Sequence, residues 1–173
     1  DRRVYARDEQ FASFLYRSEL ASLAAQAMGS ETIRIYFDQI FVKESNTEDQ
    51  VFHWHQDHPF WPIRGEQVAS TWVALTEASV QASALEFVKG SHRWDKHYRP
   101  FLGEGVDFEQ MNRLWDGFGD HAAGLTDVIE DFEDHPERYD VVGFDVAPGD
   151  ALLFDYRILH RSRGNSSGRR RVA

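Results

Sequence analysis

The first chemistry legible in the chain is His55-Gln56-Asp57. On an extended strand, residues two apart point to the same face. His55 and Asp57 would then present an imidazole and a carboxylate side by side. A histidine from a distant strand would complete a two-histidine, one-carboxylate set. That set holds Fe(II) on one side and leaves coordination positions open on the other. The candidates for the third ligand are His53, His58, His92, His97, His121, His135 and His160. His160 is set apart from the others: it ends the apolar run ALLFDYRILH, just after a Pro-Gly-Asp turn, and a polar, Arg-rich stretch follows it. His53 would share a face with His55, but a face of His53, His55 and Asp57 is not easily facial with His160 as well. His53 is therefore expected behind the ligands or on the substrate side. His58 opens the next loop as a possible partner of a ligand. His92, in Gly-Ser-His, is expected to brace a turn, and His121 and His135 to lie on the surface.

The elements that must position these residues are mostly strands. Residues 8–28 predict one amphipathic helix, capped at its end by Gly29. Residues 32–43, 51–57, 67–77, 84–89, 141–147 and 151–160 read as strands, and 169–173 opens one more. Many short strands with turn signals and few helices predict an all-β core with helical decoration, a sandwich or jelly roll. Trp54, between the paired residues, is expected to face away into the core. Phe60 and Trp61 follow in the loop and could wall a substrate pocket, keeping water from the metal.

Composition bounds the possibilities. A chain of 173 residues with 42% hydrophobic and 14% aromatic residues can bury one domain core, so disorder is excluded as a description of the whole. The absence of cysteine removes disulfides, thiolate metal sites, iron–sulfur clusters and thiol nucleophiles. No apolar run approaches the ~18–20 residues of a membrane span, and the charged N-terminus has no signal-peptide pattern. A cytoplasmic protein with no membrane partner is expected. The net charge of −10 speaks against nucleic acid as a partner. That charge is local: residues 104–140 hold twelve acids and two bases, and the rest of the chain is neutral. The expectation is a single domain, 1–173, with an acidic insertion at about 95–140. The insertion is either a solvated face or a lid that attracts cations. The chain begins without Met and stops as a strand opens, so the core is expected to lack its terminal strand.

The segments FDQIFVK, WHQDHPFWP, the Trp of STWVALTE, ALEFVKGSHRW, VAPGDALLFDYRILHRSRGN and the closing RRR resemble the phytanoyl-CoA dioxygenase family. They cover about residues 32–94 and 141–173, in the family's order. Members are Fe(II)- and 2-oxoglutarate-dependent oxygenases on a double-stranded β-helix, or jelly roll. The resemblance implies that His55, Asp57 and His160 hold iron. It implies that Arg171, eleven residues after His160, clamps the far carboxylate of 2-oxoglutarate, and that the Ser162 hydroxyl shares it. Gln39, Gln56 and Trp72 match residues lining the cosubstrate site. A guanidinium fork suits bidentate carboxylate recognition. By alternation alone Arg169 and Arg171 would share a face, and only the family offset selects Arg171. Two positions depart from the family: Ala82-Ser83 where Asn-Gly is frequent, and Lys89 where Pro usually precedes Gly-Ser-His.

The implied activity is hydroxylation of a small molecule, with O₂ as cosubstrate and decarboxylation of 2-oxoglutarate to succinate and CO₂. Related halogenases replace the carboxylate ligand with a small residue, so Asp57 favours hydroxylation. Three Lys and an acidic segment suit CoA poorly, so a neutral or cationic substrate is expected. Two other functions share the metal set: a cupin-like metal-binding protein or hydrolase, and an inactive relative that binds 2-oxoglutarate. Neither the substrate nor the oligomeric state follows from the residues.

Overall fold

The strands are short and antiparallel, as the close spacing of turn signals requires. The computed structural model describes residues 1–99, 132, 134, 135 and 137–173. Within them lie β1 (Val42–Lys43), β2 (Phe52–His55), β3 (Ala69–Val73), β4 (Leu85–Val88), β5 (Val141–Gly143), β6 (Ala151–Asp155), β7 (His160–Ser162) and β8 (Arg171–Val172). One layer has the order β2-β7-β4-β5, while β1 pairs with β8 and β3 with β6. Bonds from the Leu75 and Thr76 amides to the Val172 carbonyl, at 3.0 and 3.2 Å, join these two ladders into the second layer. The layers face each other where Phe154 of β6 meets Phe87 of β4 at 5.1 Å and His160 of β7 at 4.9 Å. This is a jelly roll. Most of the acidic segment lies outside the described residues, as does His121.

The expected helix 8–28 is two helices, α1 (Glu9–Arg17) and α2 (Leu20–Met28). The Asp8 carboxylate caps α1 by accepting from the Gln10 and Phe11 amides. The break comes at Ser18, whose ψ of 172° is extended and whose hydroxyl accepts from the Leu20 amide at 3.4 Å. A serine that bonds its own backbone favours a new helix start over continuation. Gly29, at φ 60°, closes α2.

Two strand expectations change. Residues 32–43 form a ladder only at Val42–Lys43, with one isolated bridge between Arg2 and Gln39. The run 151–160 is not one strand but two, β6 and β7, which sit in opposite layers. Asp155 causes the switch. Its carboxylate takes the Arg157 amide at 2.8 Å and the Arg157 guanidinium at 2.9 and 2.7 Å. Its carbonyl takes the Ile158 amide at 3.0 Å. The resulting turn carries the chain across the sandwich.

The loop between β7 and β8 is stapled to β1. Asn165 is fully buried and its amide donates to the carbonyls of Lys43 (3.3 Å), Glu44 (2.9 Å) and Arg169 (2.8 Å). Gly164 sits so close that a Cβ there would meet the Glu48 carbonyl oxygen at 2.1 Å. Each buried hydrogen bond contributes about 1 kcal/mol. Asn165→Ala is therefore expected to lower the unfolding free energy in urea by about 2–4 kcal/mol; a loss below about 0.5 kcal/mol would show that the loop is held by other contacts.

Candidate active site

One apolar cluster lies on the face of the β2-β7-β4-β5 layer turned away from the other layer. Trp54 packs with Val88, Tyr98, Phe132 and Leu159, on the side away from His160. Strand β7 shows the division: Arg161 turns outward to Glu86 at 2.9 Å, so by alternation His160 and Ser162 turn inward.

His55, Asp57 and His160 each offer one ligand atom, and those atoms all lie within 4.8 Å of one another. Asp57 Oδ1 is 3.9 Å from His55 Nε2 and 3.8 Å from His160 Nε2. They do not converge by strand alternation, as expected from sequence. β2 ends at His55, and Asp57 has helical dihedrals at the mouth of a 3₁₀ turn, His58–Phe60. The Asp57 and His58 amides both donate to the Tyr156 carbonyl, at 2.9 and 3.0 Å, which fixes that turn against the β6–β7 crossover. The β2–β7 register shifts between Phe52↔Ser162 and His55↔His160, so β2 carries a bulge. The bulge upsets the alternation that placed His53 beside His55: His53 is exposed, and its carbonyl is what serves the site.

Backbone carbonyls set both tautomers. His55 Nδ1 lies 2.7 Å from the His53 carbonyl, and His160 Nδ1 lies 3.0 Å from that of Ile158. A carbonyl only accepts, so each Nδ1 carries the proton and each Nε2 presents a lone pair. Burial and the neighbouring His160 push His55 down to about 4, against the opposing pull of Asp57. His55 is thus neutral at neutral pH. On the carboxylate, the Ser70 hydroxyl donates to Asp57 Oδ2. That leaves Oδ1 as the free oxygen facing both imidazoles. Neutral imidazoles and one carboxylate with open space beside them fit Fe(II).

A second polar cluster lies next to Ser162. Arg171 of β8 is 2% exposed and pairs in register with Lys43 of β1. Its Nη2 donates to Ser83 Oγ at 3.1 Å. Its Nε and Nη1 are buried without a partner. Its guanidinium lies over the Trp72 ring, 5.6 Å from the centroid. Burial lowers Arg171 to about 10, so it stays charged. Arg169 and Arg170 point elsewhere, to Glu77 at 3.6 Å and Glu44 at 2.9 Å, both on the surface. A buried guanidinium with two free nitrogens fits a carboxylate.

The other expected cosubstrate residues divide. Trp72 lies under Arg171. Gln56 is 1% exposed and spends its amide on backbone: it donates to the Lys96 and Arg157 carbonyls and accepts from the Tyr98 amide. It braces the loops behind Asp57 and has no group left for a cosubstrate. Gln39 pairs through its backbone with Arg2, and among the described residues no hydrogen bond ties its side chain to the site. Phe60 lies edge-on to His55 at 6.0 Å, whereas Trp61 packs with Tyr36, Phe37 and Tyr156. The His58 and His97 rings lie 4.8 Å apart. His92 sits in the 3₁₀ turn Ser91–Arg93, and His135 lies beside Glu137 at 3.6 Å on the surface.

Three site residues were not read from sequence: Ser70, Lys43 and Ser83. Ser70 shares a strand face with Trp72, two residues on, and that spacing was its only signal. Lys43 closes the run FDQIFVK. Ser83 marks the departure from Asn-Gly; it takes φ 70°, a conformation glycine adopts freely and serine does not. Lys89, at the other departure, donates its amide to the Asp140 carbonyl at 2.9 Å, a bond proline lacks.

The family model described as Phytanoyl-CoA dioxygenase (PhyH) matches residues 1–173. The chain belongs to the phytanoyl-CoA dioxygenase family. It is 26% identical over 157 residues to the ectoine dioxygenase of Sphingopyxis alaskensis, covering 84% of this chain and 49% of that one. It is 24% identical over 167 residues to the ectoine dioxygenase of Nocardia farcinica, covering 94% and 52%. The chain thus spans about half the length of these curated relatives. Among solved structures, EctD from S. alaskensis in its apo form superposes with a TM-score of 0.73 at 21% identity, over 99% of this chain and 53% of that one. The non-haem α-ketoglutarate-dependent carbocyclase SnoK from nogalamycin biosynthesis gives 0.71 at 19% identity, over 99% and 59%. These likenesses carry the jelly-roll fold. Among the described residues no helix is long and apolar enough to cross a membrane.

Hydrogen bonds to ligating groups are typically worth ~10–100-fold in metal affinity. Ser70→Ala is expected to weaken Co(II) binding by about that factor in a titration. Gln56→Ala is expected to leave Co(II) affinity unchanged and to lower stability. The metal-free protein carries a further signature. Because His55 titrates at about 4 when folded and near 6.5 when unfolded, the unfolded chain binds more protons between those values. Stability of the metal-free protein should fall as pH drops from 6.5 to 4. His55→Gln should flatten that slope in urea titrations.

Proposed function

We propose that this chain carries the catalytic centre of an Fe(II)- and 2-oxoglutarate-dependent oxygenase that hydroxylates a small molecule. The observation that carries this reading is Arg171: a buried guanidinium with two partnerless nitrogens, on the same interior as a convergent His-Asp-His set. A cupin-like metal protein or a hydrolase has no use for such a group. Family membership supports the same conclusion.

His55 and His160 would hold the metal through Nε2, and Asp57 through Oδ1. Ser70 keeps Asp57 Oδ2 occupied. Arg171 and Ser162 would hold the far carboxylate of 2-oxoglutarate, and Trp72 supports the guanidinium from beneath. When bound, Fe(II) and 2-oxoglutarate supply the oxidation: decarboxylation to succinate and CO₂ is coupled to insertion of oxygen from O₂ into a substrate C–H bond. The chain's own part is to orient the reacting groups and exclude water. Phe60, edge-on to His55, and Phe154, 4.9 Å from His160, are apolar walls beside that work. The Asp57 carboxylate occupies a position a halide would need, so hydroxylation is favoured over halogenation.

The substrate is a small neutral or cationic molecule. Two relatives are ectoine dioxygenases, and EctD from S. alaskensis has been solved with 2-oxoglutarate and 5-hydroxyectoine. Both support small-molecule chemistry over an acyl-CoA.

The test is anaerobic addition of Fe(II) and then 2-oxoglutarate, followed in the visible. A weak metal-to-ligand charge-transfer band is expected, and it should vanish in both Asp57→Ala and Arg171→Ala. Addition of O₂ should then release succinate. Tight zinc binding without the band would favour the cupin-like protein or hydrolase. The band without succinate would mark an inactive 2-oxoglutarate-binding relative. Turnover of an acyl-CoA, but of no free acid or amine, would overturn the substrate assignment.

A further inference from the structure

Lys43 is 2% exposed and has no acidic partner among the described residues. Its Nζ lies 3.0 Å from Ser162 Oγ, 2.7 Å from the Arg163 carbonyl and 3.4 Å from the Ser162 carbonyl. An ammonium has three protons and accepts nothing, so three acceptors match it. A hydroxyl has one proton and two lone pairs. With a lone pair of Ser162 Oγ taken by Lys43, the Ser162 proton is free for another acceptor, and among the described residues none takes it. Ser83 differs. Its proton goes to the Arg163 carbonyl at 2.7 Å, so it can only accept from Arg171.

We propose that Lys43 is a positioning residue of the cosubstrate pocket: by donating to Ser162 Oγ, it commits the Ser162 proton to the incoming carboxylate. This rests on the 2-oxoglutarate reading above. A neutral amine would reverse the bond. With two protons on the backbone carbonyls, its lone pair would accept from Ser162 and turn the hydroxyl away. The pocket therefore binds its carboxylate with Lys43 protonated.

The surroundings make that charge conditional. Lys43 lies cross-strand from Arg171 on β8. On β7, Ser162 and His160 share its side, while Arg163 turns to Glu86 at 2.9 Å. On β2, the Phe52 ring lies beneath at 5.0 Å. The adjacent Glu44 and Arg170 pair with each other at 2.9 Å on the solvent side. No carboxylate among the described residues offsets the two cations. Burial, and then Arg171, bring Lys43 down to about 7. A bound carboxylate would restore its charge, so binding should take up a proton above that pH.

The experiment is calorimetric titration of 2-oxoglutarate into the Fe(II)-loaded protein, anaerobically at pH 8, in phosphate and in Tris. The buffers differ in ionisation enthalpy, so the difference in heat counts protons. Wild type should take up a substantial fraction of a proton, and Lys43→Met none. Affinity should fall by at least about tenfold in Lys43→Met, the worth of a charge-assisted hydrogen bond. In a Ser162→Ala background the same change should cost far less, because Lys43 acts through that hydroxyl. Unchanged affinity in Lys43→Met, or an undiminished Lys43→Met effect in Ser162→Ala, would overturn the inference alone. No 2-oxoglutarate binding by wild type would overturn the functional reading with it.

Discussion

Two cations buried side by side, with no anion among the described residues to offset them, are the constraint around which the inner layer is arranged. An unpaired buried charge is costly, and proteins ordinarily pair it. Strand β7, which turns Ser162 inward, shows the ordinary solution on its outer face. There Glu86 lies between Arg161 and Arg163, at 2.9 Å from each Nε. Burial alone would raise the Glu86 carboxyl, but hydrogen bonds from both arginines hold it below the usual range. On the inner face, Lys43 and Arg171 have serine hydroxyls, backbone carbonyls and an aromatic ring instead. These neutral partners hold the side chains in place without cancelling their charge. A pocket of this kind gains stability from a ligand carboxylate in the manner of any state-selective ligand. Ser83 fits the same account. Its left-handed backbone is unfavourable for a non-glycine residue, and the hydroxyl it places against Arg171 is the compensating contact.

The metal set depends on backbone geometry more than on its side chains' neighbours. Each histidine is oriented by the carbonyl two residues before it. Those carbonyls are available because β2 is bulged and because the chain turns at Asp155 before entering β7. A regular β2 would pair its carbonyls in the ladder, and a continuous strand from 151 to 160 would leave His160 in the wrong layer. Local irregularity here is the means by which two imidazoles from adjacent strands come to share one tautomer and one direction. Asp57 follows the same rule, since it leaves the strand before its carboxylate turns inward.

The sequence revealed the chemistry more fully than the geometry. The convergence of His55, Asp57 and His160 and the burial of Arg171 were legible because their spacing matches a family pattern. The jelly roll was legible because short β-rich runs alternate with turn residues. What was not legible depended on tertiary partners. Alternation placed His53 with the ligands, but the bulge is invisible without the register against β7. Gln56 was read into the cosubstrate site, but it lies between two inward-facing residues and points the other way, onto the backbone of residues 96–98 and 157. Alternation alone could have excluded it. The break at Asp155 hides in FDYR, where an aspartate two residues before an arginine is unremarkable until both meet in a turn. Lys43 carried no signal, because a lysine at the end of a strand is ordinarily solvated, and only the pairing of β1 with β8 buries it.

The division of labour across the sandwich explains why substrate identity is the least legible property. The residues proposed to hold metal and carboxylate sit on β2, β3, β7 and β8 or at their ends, held by ladders and buried amides such as Gln56 and Asn165. Phe60, beside His55, belongs to the loop after β2, and the next residue, Trp61, packs on Tyr36 and Phe37 from a segment with little ladder pairing. A scaffold built this way can keep one oxidising centre while its loops diverge.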